Sequence, residues 1–402
     1  MQSNRVLLAY SGGLDTTYCL LYLHKILGKE VHALTIQTGG FEQQELVVLK
    51  KRALDAGAKS FTVVDVRNAY YDTCIKYLIF GNVLKNSNYP LSVSSERAIQ
   101  AIAIANHAKE NNFSAIAHGS TGAGNDQVRF DMLLHHVYPA AQILTPIRDL
   151  QLSRQEELDF LMQHGVQEHF TKANYSINKG LWGTSIGGQE TLSSHSQIPE
   201  EAWPIPVTKQ TPIDITLHFE KGEPIAIDDQ NFDHPAQLIT YLQNIAQGYG
   251  IGRDLHVGDT IIGIKGRIAF EAAAPKLLIE AHRLLEKHVL TKWQLFWKQQ
   301  VAEWYGTWMH EGHMLDPVMR DIEALFSSSQ HTVTGAVFVR LFPYRFELQG
   351  IASKHDLMHA SFGSYGEMNT AWTAEDVKGF TKIVGQQTRI YHHINTQTLE
   401  ED

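Results

Sequence analysis

The sequence has few cysteines, no excess of positive charge and no long apolar run. Cys19 and Cys74 are the only cysteines in 402 residues, which excludes a disulfide framework and a Cys-x-x-Cys metal site. The net charge of −9 argues against a polynucleotide partner, whose phosphates need a basic surface. No stretch approaches the roughly 18 apolar residues of a membrane span, and the first apolar run is too short for a signal peptide. We therefore expect a cytoplasmic protein with no nucleic-acid or membrane partner.

A Gly-Gly turn near the N-terminus carries the first chemical signal. Residues 6–9 predict one buried strand, and residues 18–27 predict a helix that ends at Gly28. The turn between them reads Tyr10, Ser11, Gly12, Gly13, Leu14, Asp15, Thr16, Thr17. Glycines let backbone N–H groups approach an anion, and a helix N-terminus adds unpaired donors. The pattern predicts a phosphate-binding loop, although it is neither the Walker nor the dinucleotide motif.

This loop resembles the Ser-Gly-Gly-x-Asp-Ser/Thr loop of the N-type ATP pyrophosphatases, and every position of that motif is filled from Ser11 to Thr16. The resemblance implies cleavage of ATP between its α and β phosphates. The loop by itself indicates only this superfamily.

Strand-like and helix-like segments alternate in the first 150 residues. Strands are predicted at residues 6–9, 31–36, 60–66, 115–118 and 143–146, with helices at about 43–56 and 92–110 between them. This alternation is typical of βαβ units and a parallel sheet. Ligands of such sheets sit beyond the carboxyl ends of the strands, where the loops after Ala9, Ile36 and His118 would converge.

The rest of the chain lacks this regular alternation of strands and helices. Residues 174–197 are rich in Gly, Ser and Thr and predict a functional loop. Strands are predicted at 213–219, 333–341 and 345–351, and helical sequence at 235–248, at 275–309 and from a Thr373 cap to about 393. The helical spacing of Trp293, Trp297, Trp304 and Trp308 predicts a subunit interface, and we expect the last helix to dock on a neighbouring subunit.

Several separated stretches resemble the argininosuccinate synthases. The strongest is the run from Ala117 to Phe130, which contains Thr-Gly-Ala-Gly-Asn-Asp-Gln-Val-Arg-Phe. Weaker or shorter matches lie at residues 175–185, 89–94, 250–254 and 263–267. The resemblance runs from residue 6 to about 275 and more diffusely to the end.

The resemblance implies an α/β fold with three parts. Residues 1–170 would form a parallel-sheet nucleotide-binding domain of the adenine nucleotide α-hydrolase type, residues 171–370 an α+β synthetase and multimerisation domain, and residues 371–402 a C-terminal oligomerisation helix and tail of a homotetramer. The implied enzyme is an ATP-dependent carbon–nitrogen ligase of arginine biosynthesis. It would condense citrulline with aspartate through a citrullyl-AMP intermediate, using ATP with Mg²⁺ and giving argininosuccinate, AMP and pyrophosphate.

Family positions imply roles for individual residues. The implied catalytic residues are Asp15, Asn125, Asp126 and Arg129. ATP would be held by Ala9, Tyr10, Ser11, Gly12, Gly13, Asp15, Thr16, Thr17, Ile36 and Gly119. Aspartate would be oriented by Thr121, Asn125 and Asp126. Citrulline would be held by Asn125 and Arg129, with Tyr89, Ser94, Ser176, Ser185, Asp259 and Phe270 around its amino-acid end. No dedicated protein metal site is expected.

The sequence departs from the family pattern at four positions. Ala123 stands where a lysine is usual, Gly187 where an acid is usual, Gly258 where a citrulline-binding glutamate is expected, and Phe270 where a tyrosine is expected. The last three fall around the α-amino end of citrulline, where each lost charge-assisted hydrogen bond costs about 1.5–3 kcal/mol. Either Asp259, one position away, replaces the glutamate, or the α-nitrogen of the substrate is acylated and uncharged.

Other interpretations are weaker. An ATP-dependent tRNA thiolase needs catalytic cysteines and a basic face, and a nucleotide-binding sensor that has lost catalysis would explain Ala123 and Gly258.

The run from His310 to His313 lacks the i, i+4 spacing of a zincin and is interpreted as a helix end. The His135 and His136 pair has no second ligand pair and is not interpreted as a metal site.

Overall fold

The structure, a computed structural model, describes residues 4–122, 124–166, 175–359, 363, 365–367 and 370–398. The chain forms two compact units, residues 1–354 and residues 355–402. The domain boundary that the sequence predicts near residue 170 falls on residues 167–174, which lie outside the described part, and stays a prediction. No helix among the described residues is long and apolar enough to cross a membrane.

The first unit begins with a five-stranded parallel sheet. Its strands are β1 (Arg5–Ala9), β2 (Glu30–Gln37), β3 (Ser60–Asp65), β4 (Ala115–Ala117) and β5 (Gln142–Leu144), in the order β3-β2-β1-β4-β5. All four pairings are parallel, which confirms the predicted sheet. The order reverses at β1 and β4, so the loops after these two strands open on the same crevice.

Eight α-helices are formed by the described residues up to Gln163. They are α1 (Leu14–Leu21), α2 (Gln43–Asp55), α3 (Arg67–Tyr70), α4 (Lys76–Phe80), α5 (Ser92–Glu110), α6 (Asp126–Val137), α7 (Pro146–Asp149) and α8 (Arg154–Gln163). A π-helical turn, Tyr22–Ile26, continues α1 to the predicted stop at Gly28. Helix α8 begins in a capping box, where Ser153 Oγ accepts from Glu156 N.

In the described part of the chain, nine further strands form two antiparallel sheets. They are β6 (Ser176–Gly180), β7 (Gly183–Gly187), β8 (Ile213–Glu220), β9 (Glu223–Ile227), β10 (Gln230–Asn231), β11 (Arg253–Asp259), β12 (Lys265–Glu271), β13 (Gly335–Phe342) and β14 (Arg345–Ala352). One sheet has the order β10-β9-β8-β13-β14 and the other β11-β12-β7-β6. The strands predicted at 213–219, 333–341 and 345–351 correspond to β8, β13 and β14, and β13 pairs with both of the others.

The hairpin of β6 and β7 corrects the predicted loop at residues 174–197. Its strands carry little apolar alternation, so their sequence gives no strand signal. Their pairing is fixed by the turn residue Trp182, which is fully buried and donates its indole N–H to Pro90 O at 2.8 Å. Residue 174 of the predicted loop lies outside the described residues, and residues 188–197 contain one short 3-10 helix, Gln189–Leu192, and no strand.

Four more helices belong to the first unit: α9 (Pro235–Ala246), α10 (Ala273–Val289), α11 (Lys292–Glu311) and α12 (Pro317–Ser329). The helical region predicted at 275–309 is divided because Leu290 is extended and Thr291 begins a new helix in a capping box with Gln294. Trp293, Trp297 and Trp304 on α11 are exposed.

The second unit contains α13 (Ala374–Val384) and α14 (Gln386–Thr398). The predicted cap is confirmed, since Thr373 Oγ1 accepts from Asp376 N at 3.3 Å. The single predicted helix is two helices that meet at Gly385. Phe380 and Ile383 are large apolar side chains that are exposed on α13.

A buried polar network ties α4 to α10, α11 and α12 within the first unit. Glu286 is fully buried and its carboxylate pairs with Lys298 Nζ at 2.6 Å. It also accepts hydrogen bonds from Asn82 Nδ2 at 2.6 Å and Gln330 Nε2 at 2.8 Å. Lys298 donates in addition to Phe80 O. Charges taken out of water in this way are tolerated only with such complete pairing.

Removing the cation of this network should unfold the protein at lower temperature. The substitution Lys298→Met leaves the Glu286 carboxylate buried without its counter-ion, at a cost of about 3–5 kcal/mol, or a Tm decrease on the order of 5–10 °C by calorimetry. Lys51→Met breaks the exposed pair with Asp55 and is the matched control, with a much smaller shift. Equal shifts in the two variants would show that the network is not stabilising.

Candidate active site

The loop between β1 and α1 has the geometry of an anion site. Gly12 has a φ of +73°, a conformation that favours glycine, and Gly13, the residue before α1, provides no side-chain cap. The first N–H groups of α1 are therefore left for a ligand. Ser11 is exposed, and its Oγ lies 3.3 Å from Thr16 Oγ1. Thr17 is buried and donates to Gly13 O at 2.8 Å, which holds the turn.

The loop after β4 meets this anion loop at Gly119. A Cβ on Gly119 would lie 3.2 Å from Asp15 and 3.3 Å from Thr16, so the backbone of residue 119 packs directly on the start of α1. Ala9 ends β1, and Ile36 is buried near the end of β2. The predicted nucleotide residues thus gather at the carboxyl ends of β1, β2 and β4. Tyr10 stands with them, fixed by Thr35 Oγ1 donating to its carbonyl at 2.7 Å.

Arg52 supports the anion loop and was missed by sequence reasoning. Its guanidinium, from α2, donates to Gly12 O at 2.8 Å. A Cβ on Gly12 would come 3.3 Å from Arg52 Nη1 and 3.1 Å from Leu49. The sequence signal was weak, since Arg52 is one of several basic residues in a polar helix.

Asp15 forms a carboxyl pair with Glu157 of α8, a residue that the sequence reading also missed. Burial raises the pKa of both groups, and that of Glu157 reaches about 8. Glu157 is buried, and its Oε2 has no hydrogen-bond partner. The pair therefore keeps one proton near neutral pH. Among the described residues, no group of three or more His, Cys, Asp or Glu could hold a metal ion by itself.

Asp126, at the start of α6, lies between two arginines. Its carboxylate pairs with Arg97 Nε at 3.0 Å and with Arg129 Nη1 at 2.8 Å. Burial raises the pKa of Asp126, but the charges of Arg97 and Arg129 outweigh it and hold that pKa below its usual value. Arg129 is only 4% exposed and donates from Nε to His310 O at 2.7 Å. Arg97 reaches Asn178 Oδ1 at 2.7 Å.

Asn125 links this cluster to the hairpin of β11 and β12. Its side-chain oxygen accepts from Ile261 N at 2.8 Å. Thr121 is exposed on the loop before it, and Ala123, one of the departures from the family pattern, lies outside the described residues. The structure thus brings Asn125, Asp126 and Arg129 together, with Thr121 on the approach from Gly119.

The sheet of β6, β7, β12 and β11 presents one face to this cluster. Residues opposite each other in the ladder share a face: Asn178 pairs with Ser185, Ser185 with Phe270, and Phe270 with Asp254. Side chains two residues apart on a strand also share a face. Ser176, Ser185 and Phe270, all predicted substrate residues, therefore lie on the same face, with Ser185 and Phe270 buried and Ser176 exposed.

Aromatic rings fill the centre of this face. Tyr89 lies with its ring centroid 5.2 Å from Phe270 and 4.8 Å from His256. His310 follows at 6.4 Å from His256. Burial lowers the pKa of His256 to about 4, with Lys85 adding to the effect, so its imidazole is neutral. Burial and the Arg129 charge likewise lower the pKa of His310 to about 2.

Ser94 and Asp259 are placed differently from these residues. Ser94 is buried in the first turn of α5 and donates to Leu91 O at 3.4 Å, close to Tyr89. Asp259 is exposed and pairs with Lys265 at 2.5 Å. In β11, Asp259 points to the face opposite Gly258 because successive side chains alternate. The structure does not bring Asp259 to the predicted substrate residues.

Comparisons with known proteins agree along most of the chain. The family model described as "Arginosuccinate synthase N-terminal HUP domain" matches residues 5–167, and that described as "Arginosuccinate synthase C-terminal domain" matches residues 175–391. Proteins named argininosuccinate synthase from Xylella fastidiosa and Xanthomonas campestris pv. campestris are 34% and 35% identical, and the one from Sulfurisphaera tokodaii is 31% identical. Coverage is 97–98% of this chain and 99–100% of these relatives. The chain belongs to the argininosuccinate synthase family.

Proposed function

We propose that this chain is an ATP-dependent ligase that condenses citrulline with aspartate to give argininosuccinate, AMP and pyrophosphate, as a step of arginine biosynthesis. One observation carries the proposal: the loop after β4 packs on the anion loop at Gly119, and the same loop leads into Asp126, which pairs with Arg97 and Arg129. The argininosuccinate synthase family, to which the chain belongs, provides the reaction that a site with these two halves would catalyse.

The nucleotide half of the site would hold ATP for cleavage at the α-phosphorus. The free N–H groups after Gly13, with Ser11 and Thr16, would hold the leaving pyrophosphate. The Asp15 and Glu157 oxygens fit Mg²⁺, which in such sites binds one or two carboxylates plus substrate phosphates. Bound Mg²⁺ would neutralise charge on the phosphates. Ala9, Ile36 and Gly119 would place the adenosine.

The other half of the site is the acceptor half, formed by the cluster around Asp126 and the sheet face that carries Ser185. It would position citrulline and aspartate, which are weak reactants. The ureido oxygen of citrulline attacks the α-phosphorus, pyrophosphate leaves, and the aspartate amine then displaces AMP. Arg129 and Asn125 would orient the ureido group, while Thr121 and Asp126 would meet aspartate. Tyr89, Ser94, Ser176 and Ser185 would surround the amino-acid end of citrulline. Most of the rate enhancement would come from positioning and from stabilised phosphate charge, without a covalent enzyme intermediate.

The cysteines argue against the tRNA thiolase alternative. Cys19 and Cys74 are both buried, and burial raises the pKa of each thiol. A catalytic cysteine needs the opposite, an accessible thiolate. The ligase proposal needs neither residue.

We further propose a cytoplasmic homotetramer. Exposed Trp293, Trp297 and Trp304 on α11 and exposed Phe380 and Ile383 on α13 are apolar surfaces of the kind that subunit interfaces cover. Sedimentation velocity of the full chain measures the assembly directly.

The proposed reaction is tested by its dependence on citrulline and on aspartate. We expect pyrophosphate release from ATP to require citrulline, and argininosuccinate to form only when aspartate is also present. Arg129→Lys keeps the charge but loses the planar fork, so kcat/KM for citrulline should fall about 10²–10³-fold while ATP binding is retained. The exposed Arg67→Lys is the control. ATP binding without citrulline-dependent pyrophosphate release would indicate a sensor instead.

The carboxyl pair gives a second prediction. Binding of preformed magnesium pyrophosphate should favour the charged form of Asp15 and Glu157 and expel their shared proton at pH 7. Calorimetry in buffers of different ionisation enthalpy should show up to one more proton released by the wild type than by Glu157→Gln. Equal proton release would mean that the metal does not approach this pair.

A further inference from the structure

His256 is a buried histidine that the proposed function does not use, on the face of the sheet of β6, β7, β12 and β11 that carries Ser185 and Phe270. It lies on β11, two residues before Gly258, so both positions face the same side as Phe270 and Ser185. Gly258 has no side chain, and a Cβ there would lie 2.7 Å from His256 Nε2. The imidazole therefore fills the space in which a side chain at residue 258 would stand.

The ring is buried and incompletely bonded. His256 is 6% exposed, and its Nδ1 has no hydrogen-bond partner. A buried polar nitrogen without a partner costs free energy unless a ligand or water meets it. Its neighbours Tyr89 and His310 offer ring contacts to the imidazole. An unpartnered ring nitrogen thus lies buried beside the residues proposed for citrulline.

We propose that His256 is a specificity-determining residue that accepts a hydrogen bond from the α-ammonium group of citrulline. The inference rests on the proposed function. A neutral imidazole has one acceptor nitrogen, and a hydrogen bond from a charged donor is among the stronger ones. Gly258 provides no acid on this face, and Asp259 points to the other. His256 does the recognition that a carboxylate at 258 would otherwise perform.

Neutrality of the ring is consistent with this role. Burial, aided by the Lys85 charge, keeps the imidazole unprotonated, with the carboxylate of Asp254 opposing. A protonated ring would offer two donors and repel an ammonium group. Asn86, which donates to Val257 O at 2.9 Å, holds the adjacent loop over this part of β11.

The test measures citrulline binding and turnover in full-length His256→Leu, with His218→Leu on β8 as the matched control. We expect His256→Leu to raise the Kd and KM for citrulline about 10- to 100-fold, with kcat changed less than about threefold and the KM values for ATP and aspartate unchanged. His256→Asn keeps an acceptor near the Nδ1 position and should recover part of the citrulline affinity that His256→Leu loses.

A double variant that replaces His256 and places a carboxylate at residue 258 separates citrulline recognition from side-chain packing. In the double variant with His256→Leu and Gly258→Glu, the new acid should restore citrulline affinity toward the wild-type value, while N-acetylcitrulline gains nothing. A citrulline Kd within twofold of wild type in His256→Leu overturns the proposal, as do equal losses for all three substrates. A wild-type preference for N-acetylcitrulline over citrulline also overturns it.

Calorimetric measurement of citrulline binding distinguishes failure of the proposed reaction from failure of the role proposed for His256. If the wild type binds citrulline but releases no pyrophosphate, the proposed reaction fails while the His256 assignment is still decided by the variant's Kd. If turnover proceeds and His256→Leu is unaffected, the reaction stands and the assignment fails.

Discussion

The ion cluster of Arg97, Asp126 and Arg129 is the interaction on which the site depends. A buried guanidinium must find acceptors for its donors, or the cost of leaving water is not recovered. Arg97 satisfies its donors on Asp126 of α6 and Asn178 of β6, and Arg129 on Asp126 and the carbonyl of His310 at the end of α11. Elements that are almost 200 residues apart in sequence are thereby fixed around one carboxylate. The acceptor half of the site is a consequence of this pairing.

The cluster also reconciles an acidic protein with anionic substrates. The chain carries a net charge of −9, yet two arginines share one aspartate here, and burial of neighbouring Glu96 raises its pKa to about 7. A local positive potential therefore remains where phosphate and carboxylate groups would bind. Field strength at a site depends on nearby, partly desolvated charges more than on the sum over the surface. An acidic chain can therefore still offer a local site to an anionic substrate such as ATP.

The sequence predicted those parts of the molecule whose signals are local. Strand alternation and the Gly-Gly turn predicted the parallel sheet and the loop from Ser11 to Thr17, because β1 and α1 are decided by neighbours in the chain. The hairpin of β6 and β7 was missed because long-range contacts, such as Trp182 with Pro90, select its conformation. Arg97, Glu157 and His256 were missed for the same reason. Their chemistry arises from partners that only the folded chain supplies, whereas family positions supplied the candidate roles of Asp126 and Arg129.

Strand geometry also decides which neighbour can take over the role of a missing side chain. In β11, the pleat sends residues 256 and 258 to one face and residues 257 and 259 to the other. A shift by one position looks small in sequence, but it moves a side chain through the sheet. Lys265 pairs directly across the ladder from Asp259 and holds that carboxylate on the far face. A residue that replaces a lost group on a strand must therefore come from two positions away or from another element. On this face, His256 meets that requirement from within β11, and its ring already lies over Gly258.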